Sequence, residues 1–306
     1  MFYLIFVFLF GLIIGSFLNA VIYRLEAGKS VFRGRSFCPK CKHILSWYDL
    51  APLFSFILLK GKCRYCRQKI SIQYPLVELA TGILFSAIFH FFVFNGQSIF
   101  SLAGGSAGGL TIFNEFPIAL IFDLSYWFYI ASVLIIIFVY DLKYYIIPDR
   151  IVLPAIAVSL IWNLTFEIYL SAYGGSAVGG EIKNLKLSPF GRPLEGWEII
   201  DINYLLAAFG AAGFFFLLII LSRGRWMGFG DVKFAFLMGL VLGFPNILLA
   251  LFTAFTSGAI IGVGLMLFKK KNLKSQIQFG PFLVGGTIFS LFFGKIIINW
   301  YLNFLL

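Results

Sequence analysis

Eight apolar runs constrain this chain more than any other feature: residues 2–23, 75–94, 117–140, 149–166, 203–222, 231–243, 246–268 and 279–304. A hydrocarbon core about 30 Å thick needs roughly 20 apolar residues per helix. Inside it, every backbone N–H and C=O must be satisfied within the segment. The expected fold is therefore an all-α polytopic membrane protein with about eight transmembrane helices. Charged residues make up only 12% of the chain, whereas soluble domains carry about 25%. The run at 231–243 is short and carries glycine, as suits a helix that lines a cavity rather than crossing fully. No basic residue precedes the first run and no small-residue cleavage site follows it, so it reads as a retained helix. Its Gly11 and Gly15 form a small-xxx-small pair, which predicts tight packing on a neighbour.

Charge then orients the runs. Eleven of the 24 Lys and Arg lie between Arg24 and Lys69, against two acids, Glu26 and Asp49. Beside membrane spans such a loop marks the cytoplasmic side rather than nucleic acid. The N-terminus is then outside, with 95–116 and 167–202 as external loops and Lys269, Lys270, Lys271 and Lys274 in another inner loop. Three parts are expected: a first helix at 1–23, a small soluble insertion at 24–74 between the first two helices, and a membrane core at 75–306. No internal repeat is visible.

All four cysteines fall in the insertion, as Cys38-Pro39-Lys40-Cys41 and Cys63-Arg64-Tyr65-Cys66. Two CxxC pairs can place four thiolates on one tetrahedral ion, which reads as a closed structural zinc site. Neighbouring Lys and Arg favour the thiolate form. Redox use of either pair is the lesser alternative, since no thioredoxin-like pattern surrounds them. With four thiols sufficient, His43 reads as an exposed loop residue.

The carboxylates come next. Met227-Gly228-Phe229-Gly230-Asp231-Val232-Lys233 opens the sixth run, and Asp141 closes the third. Gly228 and Gly230 allow another backbone to come close. Asp231 also fits a plain helix cap, and Asp149, after Pro148, is placed as one. Asp141 lies where the helix dipole disfavours a negative charge, so it needs another reason to be there. The alternation of spans puts Asp141 and Asp231 on one face at similar depth. Two carboxylates in one low-dielectric site share a proton, the arrangement used by aspartic peptidases. Lys143 and Lys233 each follow an Asp by two residues, off its helical face, and are assigned to lipid headgroups or substrate. Glu78, in the first turn of its helix, is explained by the dipole or by a binding role. Asp123 is expected near the outer end of its span, facing water.

These residues resemble the type IV prepilin peptidase family of GxGD aspartyl peptidases, which serve type IV pili and type II secretion. The match runs through Gly15-Ser16-Phe17-Leu18-Asn19, Arg24, Ser36-Phe37-Cys38-Pro39-x-Cys41, Pro52-Leu53-x-Ser55 and Gly61-Lys62-Cys63-Arg64-x-Cys66. It continues through Ile70-Ser71, Tyr74-Pro75-x-x-Glu78, Asp141, Ile147-Pro148-Asp149 and Gly228-x-Gly230-Asp231-x-Lys233. The resemblance implies cleavage of a short basic leader from prepilins or pseudopilins, after a glycine, at the cytoplasmic face of the bacterial inner membrane. It places the catalytic pair on Asp141 and Asp231. It also implies N-methylation of the new terminus with S-adenosylmethionine, for which Glu78 and the zinc loop are the implied candidates. No glycine-rich dinucleotide-type motif supports that second activity independently.

Two other readings compete. A cation-coupled transporter would use Asp123, Asp141 and Asp231 as a proton relay, and predicts inverted repeats and mid-membrane carboxylates. A zinc-binding membrane adaptor would leave the Asp141 and Gly-Phe-Gly-Asp pairing without a purpose. The oligomeric state is not encoded in any of these features.

Overall fold

The computed structural model describes residues 2–30, 34–95, 118–174, 202–224, 227–267 and 278–305. Among them the regular structure is helical apart from two isolated β-bridges. The elements are α1 (Phe2–Glu26), a 3-10 turn (Trp47–Leu50), α2 (Phe54–Leu58), α3 (Gln73–Asn95), α4 (Ile118–Tyr144) and α5 (Asp149–Gly174). They continue with α6 (Ile202–Ser222), α7 (Phe229–Leu242), α8 (Asn246–Leu267) and α9 (Gly280–Leu305). Each expected apolar run is a helix. Among the described residues six of them, α1, α3, α4, α6, α8 and α9, are long and apolar enough to cross a membrane. Several outrun their apolar stretch, α5 reaching Gly174 where the run fades near 166. A helix ends where its backbone bonding ends, not where its hydropathy does. The expected outer loop beyond Asn95, residues 175–201 of the second expected loop, and the lysines 269, 270, 271 and 274 lie outside the described residues.

The chain divides into two compact units. The first holds α1, α2, α3 and α4 as far as Ile136. Here the small-residue pair of α1 packs on α3. A Cβ on Gly11 would stand 2.7 Å from Gly82 Cα, and one on Gly15 2.6 Å from Glu78 Cα. Only glycine permits that approach. Asn19, the next residue in the same register, donates through Nδ2 to the Tyr74 carbonyl at 3.0 Å. Phe85 and Phe128 stack with centroids 4.3 Å apart and tie α3 to α4.

The second unit holds the rest of α4 with α5 through α9. Its centre is the 14-residue α7, which packs against α5, α6, α8 and α9. Nine of its residues are buried. At 1.5 Å per residue it is about 21 Å long, as short as the run at 231–243 led one to expect. Gly239 of α7 meets the backbone of Ala207 and Ala208 in α6 with no room for a Cβ. The Asn163 amide of α5 donates to the Leu240 carbonyl at 3.2 Å.

Candidate active site and metal centre

In the first unit the four cysteines are gathered, with all four Sγ atoms within 4.8 Å of one another. Cys38 Sγ and Cys66 Sγ are 3.9 Å apart. A tetrahedral ion with Zn–S bonds of about 2.3 Å requires sulfurs about 3.8 Å apart, so the cluster fits one such ion. The two CxxC segments build it identically. Cys38 N–H donates to His43 O at 2.9 Å and Lys42 N–H to Cys38 O at 2.8 Å. Cys63 N–H donates to Gln68 O at 2.9 Å and Arg67 N–H to Cys63 O at 2.9 Å. Bridges Phe37 to Ile44 and Lys62 to Lys69 close the two loops. Lys42 and Arg67 both take positive φ, at 58° and 55°. The insertion is thus a duplicated knuckle, a repeat hidden in the sequence because only the cysteines are shared at matching positions.

Burial opposes ionisation of Cys38, but the Cys41 and Lys40 backbone N–H groups and the adjacent thiols outweigh it and bring it down to about 7. At Cys66 the Gln68 backbone favours the thiolate, yet burial and the other three thiols push it up to about 11. The cluster therefore holds its protons unevenly until a cation takes their place. His43 is not a ligand. Its ring lies on Tyr65 with centroids 3.6 Å apart. Asp49, half-buried with its side chain covered, accepts from Arg64 Nε at 2.7 Å and from Tyr65 Oη at 3.2 Å, fixing the second knuckle to the turn before α2.

Glu78 is buried between α1 and the insertion. Its Oε2 accepts the Leu53 N–H at 2.9 Å, and the Ser16 hydroxyl also donates to it. Leu53 sits at φ 57°, a strained value for leucine that this bond helps hold. One turn along the same helix pair, Asn19 Oδ1 is buried without a hydrogen-bond partner. Asp123, expected to face water, is buried instead, within the first unit.

The second unit brings Asp141 and Asp231 together, close enough that the charge of Asp141 acts on Asp231. Asp231 is not the cap of α7. Gly228 is, in an extended conformation (φ −87°), and Asp231 stands three residues in, reaching back to accept the Gly228 N–H at 3.2 Å. Asp141 lies in the last turn of α4, since the helix continues to Tyr144. The reason sequence could not supply for it is α9. Gly280 N–H, the first of that helix, donates to Asp141 Oδ2 at 3.1 Å. The positive end of α9 offsets the negative end of α4. Gln278 Nε2 donates to the Leu142 carbonyl at 3.1 Å, and Phe279 packs on Phe255 and Phe215 (centroids 4.8 and 6.0 Å), holding that helix start in place.

The loop residues have separate parts. A Cβ on Gly230 would stand 3.0 Å from Ile147 Cβ, whereas one on Gly228 would meet no side chain. Lys233, assigned from sequence to headgroups or substrate, instead gives Nζ to both oxygens of Asp149 at 2.8 Å. Asp149 is the first residue of α5, so this pair clips the start of α7 to the start of α5. Gly280, Gln278 and Ile147 were not singled out as site residues from sequence. None titrates, and only the fold brings them to the carboxylates.

Residues 9–92 match the Bacterial Peptidase A24 N-terminal domain, and residues 128–263 match the Type IV leader peptidase family. The first match contains the cysteines and Glu78, the second Asp141 and Asp231. A Prepilin leader peptidase/N-methyltransferase of Bacillus subtilis is 31% identical over 298 residues, covering 97% of this chain and 96% of the relative. Proteins of the same name from Legionella pneumophila and Aeromonas salmonicida are 28% and 29% identical, covering 97% and 98% of this chain and 93% and 94% of the relatives. No solved structure matches the chain.

Proposed function

Because the chain belongs to the type IV leader peptidase family, we propose that it cleaves the basic leader of prepilins or pseudopilins after a glycine, at the cytoplasmic face of the inner membrane. The N-terminus then lies outside and the cysteine insertion inside, the orientation favoured by the basic residues between Arg24 and Lys69. The observation that carries the reading is the meeting of Asp141 and Asp231, each with a backbone N–H on one carboxylate oxygen. Two carboxylates near enough for one charge to act on the other favour a state that holds one proton between them.

The chemistry follows from that shared proton. The ionised carboxylate takes a proton from a water as its oxygen attacks the scissile carbonyl carbon. The protonated carboxylate donates to the carbonyl oxygen. The tetrahedral diol then collapses, the C–N bond breaks, and the amine leaves with the proton drawn from the water. The diol proton returns to the pair, and no covalent intermediate forms. Gly228, itself extended, leaves a side open for a substrate backbone, Gly230 keeps the loop against Ile147, and Lys233 fixes it through Asp149.

The same chain N-methylates the terminus that it frees, with Glu78 in the methyl-transfer site. S-adenosylmethionine supplies the methyl group. Glu78 and the unpartnered Asn19 Oδ1 are acceptors at one helix interface. They suit an N–H donor or cation, which the new α-amine and the methyl donor both carry. The ion held by Cys38, Cys41, Cys63 and Cys66 is zinc, in a structural role: four thiolates leave no open position.

The test is cleavage of a reconstituted prepilin by wild type, Asp141→Asn and Asp231→Asn, with methylation of a pre-cleaved pilin measured alongside. Loss of cleavage in both variants with methylation retained supports the pair and a separate second site. Normal cleavage by either variant ends the two-carboxylate mechanism.

A further inference from the structure

By residue order the stretch from Arg24 to Tyr74 is a soluble insertion, but its contacts put one part of it lower. The register of α1 on α3 is fixed by Gly11 at Gly82, Gly15 at Glu78 and Asn19 at Tyr74. Glu78 is five residues into α3, roughly 7 Å below its first residue, while α1 rises nine residues beyond the level of Gly15, roughly 13 Å, to reach Arg24. A helical side chain leans toward the N-terminus, so the Glu78 carboxylate lies at the first turn of α3. Leu53 N–H is bonded to that carboxylate at 2.9 Å. The chain therefore descends after the first knuckle, and α2 starts alongside the α1–α3 pair rather than above it.

At that depth α2 shows an apolar face to the outside. Phe54, Ile57 and Leu58, at spacings of three and four, are 63%, 69% and 79% exposed, and Trp47 just before them is 83% exposed. The opposite side is occupied: Ser55 is buried, and the Phe56 ring lies 3.1 Å from where a Cβ on Gly61 would stand. A segment in water would not keep four large apolar side chains bare on one short stretch. Ile13 and Phe17 of α1 and Leu76, Leu79 and Ile83 of α3 are also exposed, as lipid-facing residues of spans should be. The α2 residues carry the same kind of exposed apolar side chain. Exposed Lys60, Lys62 and Lys69 follow it in the chain, a cationic rim suited to anionic headgroups.

We propose that Trp47–Leu59 is an interfacial membrane anchor. Phe54, Ile57 and Leu58 lie among the upper acyl chains, Trp47 sits at the headgroups, and the lysines lie over anionic lipid. The Leu53 to Glu78 bond sets its depth, and the anchor holds the cysteine knuckles at a fixed height on the bilayer.

The full-length protein is reconstituted in phosphatidylcholine and phosphatidylglycerol vesicles containing a phosphatidylcholine with a photoactivatable acyl chain. Lipid adducts are then mapped by mass spectrometry. Label is expected on peptides covering 54–58, as on the exposed face of α1, and not on 62–69. In a second arm, Leu58→p-benzoylphenylalanine and, as a control, Gln68→p-benzoylphenylalanine are illuminated in the same vesicles, and position 58 should form lipid adducts well above position 68. Absence of lipid label at 54–58 in the wild-type chain, which needs no substitution to fold, overturns the proposal. So does cross-linking of position 58 to a polypeptide, whether a substrate helix or a second copy of the chain.

Discussion

The backbone N–H of Gly280 donates to Asp141 Oδ2 across 3.1 Å, and a methyl group at position 280 would stand 2.6 Å from that oxygen. One backbone group thus anchors the carboxylate, and the absence of a side chain at position 280 leaves the space that the carboxylate occupies. Three helix ends converge on the pair: the C-terminus of α4 carrying Asp141, the N-terminus of α7 carrying Asp231, and the N-terminus of α9 supplying Gly280. Two positive ends against one negative end make a site that tolerates charge next to apolar helices.

Gly280→Ala therefore displaces the Asp141 carboxylate without removing any titrating group. An ångström of displacement at reacting groups costs about 100-fold in rate. The expected outcome is a fall in kcat of about that size with KM little changed, read in single-turnover cleavage of a reconstituted prepilin. Gly285→Ala, five residues further along α9 where a Cβ meets nothing, should leave the rate unchanged. Equal effects at both positions would show that helix propensity, not the carboxylate, is being measured.

The two glycines of the Gly-Phe-Gly-Asp loop should separate in the same assay. Gly230→Ala drives a Cβ to 3.0 Å from Ile147 Cβ, so either α7 or the segment before α5 must shift. Gly228→Ala meets open space at an ordinary φ of −87°. Gly230→Ala should lower thermal stability by about 1–3 kcal/mol, as overpacking does. Gly228→Ala should cost only about 0.5–1 kcal/mol, as a poorer residue at the helix cap, and should act on cleavage through KM, because the open side is where a substrate backbone would lie. Thermal unfolding in detergent together with Michaelis parameters distinguishes the two.

Much of this was legible in the sequence, and what was not had a common cause. The apolar runs announced the helices, Gly11 and Gly15 announced their packing on a neighbour, and the paired CxxC spacing announced a single cluster. These are local patterns with one physical meaning each. Gly280 reads as the start of one more apolar helix, and nothing in Gln278-Phe279-Gly280-Pro281 mentions a carboxylate 139 residues away. Asp149 and Lys233 look like a cap and a surface lysine until the fold pairs them across 84 residues. Burial of Asp123 and the descent of Leu53 to Glu78 were hidden for the same reason.

The Lys233–Asp149 pair is expected to position rather than stabilise. Both side chains are partly exposed, at 25% and 55%, and such pairs contribute about 0–1 kcal/mol. Lys233→Met and Asp149→Asn should each shift unfolding only slightly. A double-mutant cycle on kcat should still show coupling, since either change frees the start of α7 that carries Asp231. Additive effects on kcat would remove Lys233 from the site.

Metal removal should act on the insertion alone. One ion per chain is expected, and Cys38→Ser or Cys63→Ser, each deleting a buried thiol, should abolish it. Elemental analysis of the purified chain checks the stoichiometry. Limited proteolysis should then show new cleavage within 34–72 while α1 and α3, held by the glycine contacts and the Asn19 bond, resist. A metal-free chain that is protected as well as wild type would show that the thiol cluster is not what folds the insertion.

Glu78 has two candidate duties, and substitution can separate them. Its carboxylate holds the strained Leu53 N–H, and it is the residue proposed for methyl transfer. Glu78→Gln keeps an oxygen acceptor for Leu53 but loses the charge, whereas Glu78→Ala loses both. If Glu78 serves methyl transfer, Glu78→Gln should retain cleavage and the protease resistance of the insertion while methylation of a pre-cleaved pilin falls sharply. Glu78→Ala should lose methylation and also loosen the insertion, because a buried N–H without its acceptor costs about 1–3 kcal/mol. If Glu78→Gln methylates at the wild-type rate, Glu78 is a structural clasp for Leu53, and the search for the second site moves to Asn19, whose Oδ1 is the buried acceptor still waiting for a donor.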